Sequence, residues 1–222
     1  MDFGYNLDFW YLVQHAGELA LGLGWTVAIT AVGIAGGVVL GFAGAVVRVE
    51  RVRGLSLVVA ALVEFIRTTP LFVQIFFLYF GLPEIGLDLD ALGVACVALV
   101  IWGGAYNVEN FRAAIESVPR SWREAAAALG LRRFQIFRLI TAPVALRIAM
   151  PSLTNTAIEI LKGSALMVAI SFPELTDTGI NLVAVSFRVF EVFIALAAAY
   201  LLLAAGLARG MRALESRLAW PG

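Results

Sequence analysis

Charge is what this sequence has least of. Only 14% of its 222 residues are charged, and sixteen Lys and Arg balance sixteen Asp and Glu. The zero net charge says little about partners by itself, so the placement of the charges has to carry that information. Cysteine occurs once, at Cys96 in an apolar stretch, which excludes an internal disulfide and leaves the redox compartment unreported. Histidine also occurs once, at His15, and no Cys/His cluster with metal spacing is present. A glycine-rich phosphate loop of the P-loop kind is missing too, so ATP, if it drives this protein, is bound by another subunit. The amino terminus has no basic segment followed by a short apolar run and a small-residue cleavage site, and the chain is read as mature from Met1.

What is abundant is apolar. Hydrophobic residues make up 61% of the chain and the mean hydropathy is +0.91, which puts it in the membrane class. A helix needs about 20 apolar residues to cross a bilayer. By that measure five spans are expected, at about 20–47, 55–80, 91–111, 143–170 and 189–207, in one domain covering 1–222. In the first span Gly33, Gly37, Gly41 and Ala45 recur every four residues. Such a stripe lets a second helix approach closely where lipid supplies no hydrophobic drive, so it predicts a tight helix contact. Pro70 lies inside the second span, and a kink is expected there because proline removes a donor and crowds the preceding turn.

The basic residues set an orientation. Residues 48–53 hold three arginines, 112–138 six, and the tail three, at Arg209, Arg212 and Arg217. The segment before the first span and the 81–90 loop hold no Lys or Arg and three acids each. Lys and Arg near span ends stay on the cytoplasmic side, so the amino terminus is expected outside and the carboxy terminus inside. Five spans do not divide into two equal halves, which weighs against a transporter built from inverted repeats.

Between spans three and four lies a polar helical segment, 112–138, rich in arginine and alanine. Ser121 followed three residues later by Glu124 reads as a capping box, with Pro119 breaking any helix upstream. Four alanines follow, and Gly130 is a natural stop where a side chain would obstruct the turn. The expected result is a short helix-turn-helix whose slim first helix can enter a cleft on another protein.

The spaced pattern Glu124-Ala125-Ala126, Gly130, Ile140 and Pro143 resembles the cytoplasmic EAA loop of ABC importer permeases. The resemblance continues through Phe65-Ile66-Arg67-Thr68-Thr69-Pro70-Leu71, Glu109-Asn110-Phe111-Arg112, Pro151-Ser152-Leu153-Thr154-Asn155 and Leu161-Lys162-Gly163. It points to the polar amino acid permeases that serve histidine, glutamine and opines. It implies an all-α integral membrane fold of five transmembrane helices, the type I ABC importer permease fold, in a bacterial inner membrane. Ser121, Glu124, Ala125, Ala126 and Gly130 would then couple to the ATPase. The implied partners are ATPase subunits carrying ATP and Mg, a second permease copy or paralogue, an extracytoplasmic solute-binding protein and membrane lipid, with no nucleic acid. The chain itself would bind no cofactor and catalyse no reaction. The alternative is a secondary transporter that works without ATP.

Glu124 keeps two readings, a capping partner for Ser121 or the carboxylate that meets the ATPase. Arg147, Pro151, Asn155, Glu159 and Lys162 are spaced by four, four, four and three, so they share one face of the fourth span. Charge inside a membrane usually faces a bundle interior or a water path. Asn155 is the expected path residue, whereas Glu159 and Lys162 read equally as path residues or as a structural ion pair. Glu64, Arg67 and Thr68 sit on the second span. Glu64 and Arg67, three apart, could meet the two ends of a zwitterion or close a salt bridge that steadies a gate.

Overall fold

The computed structural model describes residues 7–218, which form helices joined by short turns and loops, with no strand among them. A short helix α1 (Trp10–Gln14) leads into α2 (Ala16–Val49), whose 34 residues reach about 50 Å at 1.5 Å per residue, well beyond the ~30 Å hydrocarbon thickness. The second hydrophobic segment is split into α3 (Leu55–Thr68) and α4 (Leu71–Phe76), the latter prolonged by a π-helical turn to Gly81. The third long helix is α5 (Ala91–Glu116), capped by the Asp90 carboxylate, which accepts from the Gly93 amide at 2.8 Å. Two short helices follow, α6 (Arg120–Ala128) and α7 (Arg133–Ile136). A π-helical turn then carries the chain into α8 (Ala142–Gly163), which ends in a 3₁₀ segment, Ser164–Ile170. Last come α9 (Leu175–Ser186) and α10 (Val189–Leu218). Among the described residues four helices are long and apolar enough to cross a membrane, and the bent pair of α3 with α4 and its π-helical turn is apolar enough to make a fifth if it acts as one span.

The packing of α2 on α5 is the spine of the bundle. Gly33, Gly37, Gly41 and Ala45 are all buried; the three glycines face Leu99, Gly103, Gly104 and Asn107 of α5, and Ala45 joins a cluster with Phe111, Ala114 and Ile115. A Cβ built on Gly37 would lie 3.1 Å from the Gly103 carbonyl carbon, so the two backbones are almost in contact. Side chains on either helix would push them apart, which is the physical content of the small-residue stripe. At the arginine-rich end, Glu109 of α5 joins the two helices by pairing with Arg48 at 2.9 Å and with Arg112 at 2.7 Å. The polar link from α5 to α8 is the Asn110 amide, donating to Asn107 Oδ1 and to Thr156 Oγ1.

Several boundaries differ from the sequence reading. The second span is no gently kinked rod: it bends by 108° across Thr69 and Pro70. Thr69 is extended, as the residue before a proline prefers, so the helix stops there instead of bending through. Carbonyls freed by the break are satisfied by Gln74, whose amide donates to Ile66 O at 2.8 Å and to Thr69 O at 3.1 Å. The helix expected after Gly130 does not stand alone, because Arg133–Ile170 forms one continuous 38-residue path into the membrane. The 171–188 loop contains α9, and the last helix runs on past 207 to Leu218, since its arginine-bearing final turns lose hydropathy without losing helix propensity.

Candidate functional site

The bend at Pro70 turns the end of α3 toward α5 and α8, and a polar cavity of about 510 Å³ opens at their meeting point. Arg67, Thr68, Thr69 and Pro70 form one wall, Trp102 and Tyr106 of α5 the second, and Glu159, Lys162 and Gly163 of α8 the third. The Arg67 guanidinium carbon lies 5.1 Å from the centre of the Tyr106 ring, a cation–π distance, and Trp102 stacks beside Tyr106 at 4.3 Å between centroids. Lys162 Nζ donates to Glu159 Oε1 at 2.8 Å, with the two side chains 59% and 54% exposed. One wall therefore offers a cation against an aromatic face and another an accessible anion–cation pair. That set suits a small ligand bearing both charges.

Not every expected path residue reaches this cavity. Glu64 is exposed one turn back on α3 and has no ion pair with Arg67, whose guanidinium goes to Tyr106 instead. Asn155 is exposed on the same face of α8 as Glu159 but a turn away from the cavity wall. Trp102 and Tyr106 were not singled out as site residues in the sequence. The signal available there was their spacing of four, which puts two aromatic side chains on one face of the third span.

Around α6 the geometry corrects the capping box. The helix begins at Arg120 with Pro119 at its cap and no side-chain cap bond, so Ser121 already lies within the first turn. Glu124 binds Arg120 Nε at 2.7 Å instead, an exposed (i, i+4) pair that takes the carboxylate a capping box would have used. Gly130 has φ +83°, and the Leu131 amide reaches back to Ala126 O at 3.2 Å to close the helix. A Cβ at Gly130 would meet open space, so the glycine is required by its left-handed backbone and not by crowding. Ala126 is buried, while Trp122 (46% exposed) and Leu129 (83%) leave an apolar surface at this end of the molecule.

Three sets of likenesses bear on what such an arrangement serves. The family described as binding-protein-dependent transport system inner membrane component matches residues 20–220. The chain is 37% identical over 195 residues to the glutamine transport system permease protein GlnP of Escherichia coli (strain K12), covering 87% of this chain and 89% of that one. It is 34% identical over 220 residues to the octopine transport system permease protein OccM of Rhizobium radiobacter, covering 95% and 89%. A crystal structure of an amino acid ABC transporter with histidines superposes with a TM-score of 0.88 at 31% identity, over 96% of this chain and 100% of that one. The chain belongs to this transport family. The permease also has the fold of the inward-facing MetNI methionine ABC transporter, with a TM-score of 0.80 at 20% identity over 93% and 99% of the two chains. It is an all-helical ABC importer permease, a multi-pass inner membrane component and not a secondary transporter.

At the end of the permease opposite Arg48, Arg112 and the arginines of α6 and α7 lies a polar knot that no sequence motif announced. Glu174, fully buried, accepts from the amides of Thr176 (2.9 Å) and Asp177 (2.9 Å), from the Tyr200 hydroxyl (2.8 Å) and from Thr26 Oγ1 (3.4 Å). It thereby caps α9 and ties it to α2 and α10. Burial pushes its carboxyl above the ordinary glutamate value, partly offset by those donors. Glu174→Ala leaves two buried amides without an acceptor and should cost about 2–4 kcal/mol, read as a lower melting temperature in detergent. A raised value means the protonated form is favoured by folding, so this contribution is complete below the ordinary glutamate range. It shrinks as pH climbs through the raised value, a decline that Glu174→Gln should flatten.

Proposed function

We propose that the permease imports polar amino acids or related zwitterions such as opines, using the cavity between α3, α5 and α8 as its solute site. The observation that carries this reading is the meeting of Arg67, over Tyr106, with the accessible Glu159–Lys162 pair at the Pro70 bend. A zwitterion presents one carboxylate and one ammonium, and an open cavity that holds cations (Arg67, Lys162) and an anion (Glu159) offers a partner to each. The glutamine and octopine permeases among its relatives carry solutes of this type.

The exposed charged face of α8 cannot rest against hydrocarbon, so a second permease copy or a paralogue covers it and completes the path. Charge bias puts the amino terminus outside and the arginine-rich end in the cytoplasm. There α6, with Ser121, Glu124, Ala125, Ala126 and the Gly130 turn, docks into an ATPase subunit that holds ATP and Mg. A solute-binding protein delivers solute to the opposite face. Closure of the ATPases on ATP would pull the docked α6 helices together. Because Arg133–Ile170 is one continuous helical path, that motion reaches Glu159 and Lys162 as a rigid displacement.

The test is co-purification and solute-stimulated ATP hydrolysis in proteoliposomes, comparing wild type with Glu124→Lys. The variant reverses the charge on an exposed docking surface and should lower coupled hydrolysis about tenfold or more, with the permease still folded. Uptake that persists without ATP and follows an ion gradient would restore the secondary-transporter alternative.

A further inference from the structure

A second polar cavity, of about 460 Å³, lies at the arginine-rich end between the turn that joins α2 to α3 and the last turns of α5. Arg48, Arg51, Arg53 and Arg112 line it, with Glu116 and Ser56. Arg48 and Arg112 are held by Glu109 and Glu116, which fixes two walls. Arg51 and Arg53 are exposed and have no ion pair among the described residues. The turn that carries them has left-handed backbone at Arg51 (φ +50°) and Gly54 (φ +77°), and it leads into α3 with no side-chain cap. Four arginines line the cleft with one carboxylate, Glu116; even with Glu109, paired to Arg48 and Arg112, and Glu50 in the same turn, positive charge remains in excess. Immediately beyond, Leu57 (76% exposed) and Val58 (54%) begin an apolar surface along α3.

We propose that this cleft binds the phosphate of an anionic phospholipid whose acyl chain lies along Leu57 and Val58. Positive charge at a span end by itself needs no ligand. What goes beyond it is the concave shape, the two unpaired guanidiniums and the apolar strip that continues from them, which a free phosphate would not use. Basic clefts between membrane helices at this level suit such headgroups, and guanidinium offers phosphate a two-pronged partner.

The test is native mass spectrometry of the full-length permease with its co-purifying subunits, titrated with phosphatidylglycerol, phosphatidylcholine or inorganic phosphate. Each interfacial arginine contributes about a five-fold factor, so Arg51→Gln with Arg53→Gln should weaken phosphatidylglycerol binding about twenty-five-fold. Arg209→Gln with Arg212→Gln removes the same charge elsewhere and should stay within about twofold of wild type. Leu57→Ser, which keeps every arginine, should weaken phosphatidylglycerol without changing the response to phosphate. Equal losses in the two arginine pairs would reduce the site to general surface charge and overturn the proposal. Displacement of phosphatidylglycerol by inorganic phosphate at equal concentration would make it a free-anion site. Unchanged lipid binding with loss of a co-purifying subunit would make the cleft a protein contact instead.

Discussion

Lys162→Met is expected to lower solute uptake about tenfold to a hundredfold while the permease stays folded and the ATPase stays attached. The lysine sits at the end of α8, 59% exposed in the polar cavity, and its one ion pair among the described residues is with Glu159 at 2.8 Å. An accessible pair of this kind contributes little to stability, so the melting temperature should move by no more than a degree or two. Methionine keeps the length and apolar stem of lysine and removes only the charge. If the solute carboxylate rests on that charge, its binding and passage lose a charge-assisted hydrogen bond, the loss that sets the magnitude above. The double variant Lys162→Met with Glu159→Gln separates the two readings of this pair. A structural pair predicts recovery, because the stranded carboxylate has gone. A solute contact predicts an uptake defect at least as large as that of the single variant, in the same proteoliposome assay.

The helical membrane fold was legible in the sequence because hydropathy acts over twenty residues at a time and tolerates local error. The contact that organises it could also be read, since a glycine every four residues has few uses in lipid other than close approach, and Gly33, Gly37 and Gly41 are indeed buried against α5. Pro70 announced a break but not its angle. That depends on Thr69 becoming extended and on Gln74 capping the freed carbonyls from five and eight residues away, a tertiary arrangement with no local pattern. The capping box failed for a local reason: Arg120 sits four residues before Glu124 and claims its carboxylate, which a motif reading that begins at Ser121 leaves out.

The same limit explains the sites. Arg67, Glu159 and Lys162 stood out as charges inside apolar runs, and the structure places all three around one cavity. Trp102 and Tyr106 did not, because an aromatic residue in a membrane helix is ordinary until its neighbour is known. Glu174 was hidden in a loop where a carboxylate normally faces water. Its burial follows from α9 folding back against Gly22 and Thr26 of α2, more than 140 residues away in sequence. Long-range closure of this kind is what a one-dimensional pattern cannot carry.

The same substitution in one helix should have opposite consequences at two glycines 17 positions apart. Gly24→Ala places its methyl group in open space, since nothing lies within 4 Å of the position, and the helix gains from losing a flexible residue. The expected result is a permease as stable as wild type or up to about 1 kcal/mol more so. Gly41→Ala puts the new Cβ 2.3 Å from the Asn107 Cβ and 2.9 Å from its carbonyl carbon. Neither atom belongs to a flexible side-chain end, so relief requires α2 and α5 to separate. That separation would also open the neighbouring contact at Gly37 and disturb Asn107, which is buried and accepts from Asn110. An overpacked helix contact costs about 3 kcal/mol or more when the backbone itself must move. The measurement is detergent melting of the two variants beside wild type, with the yield of assembled transporter as a second readout. A Gly41→Ala protein that melts with Gly24→Ala would mean that the two helices can slide apart at no cost, and the small-residue stripe would lose its role as the spine of the bundle.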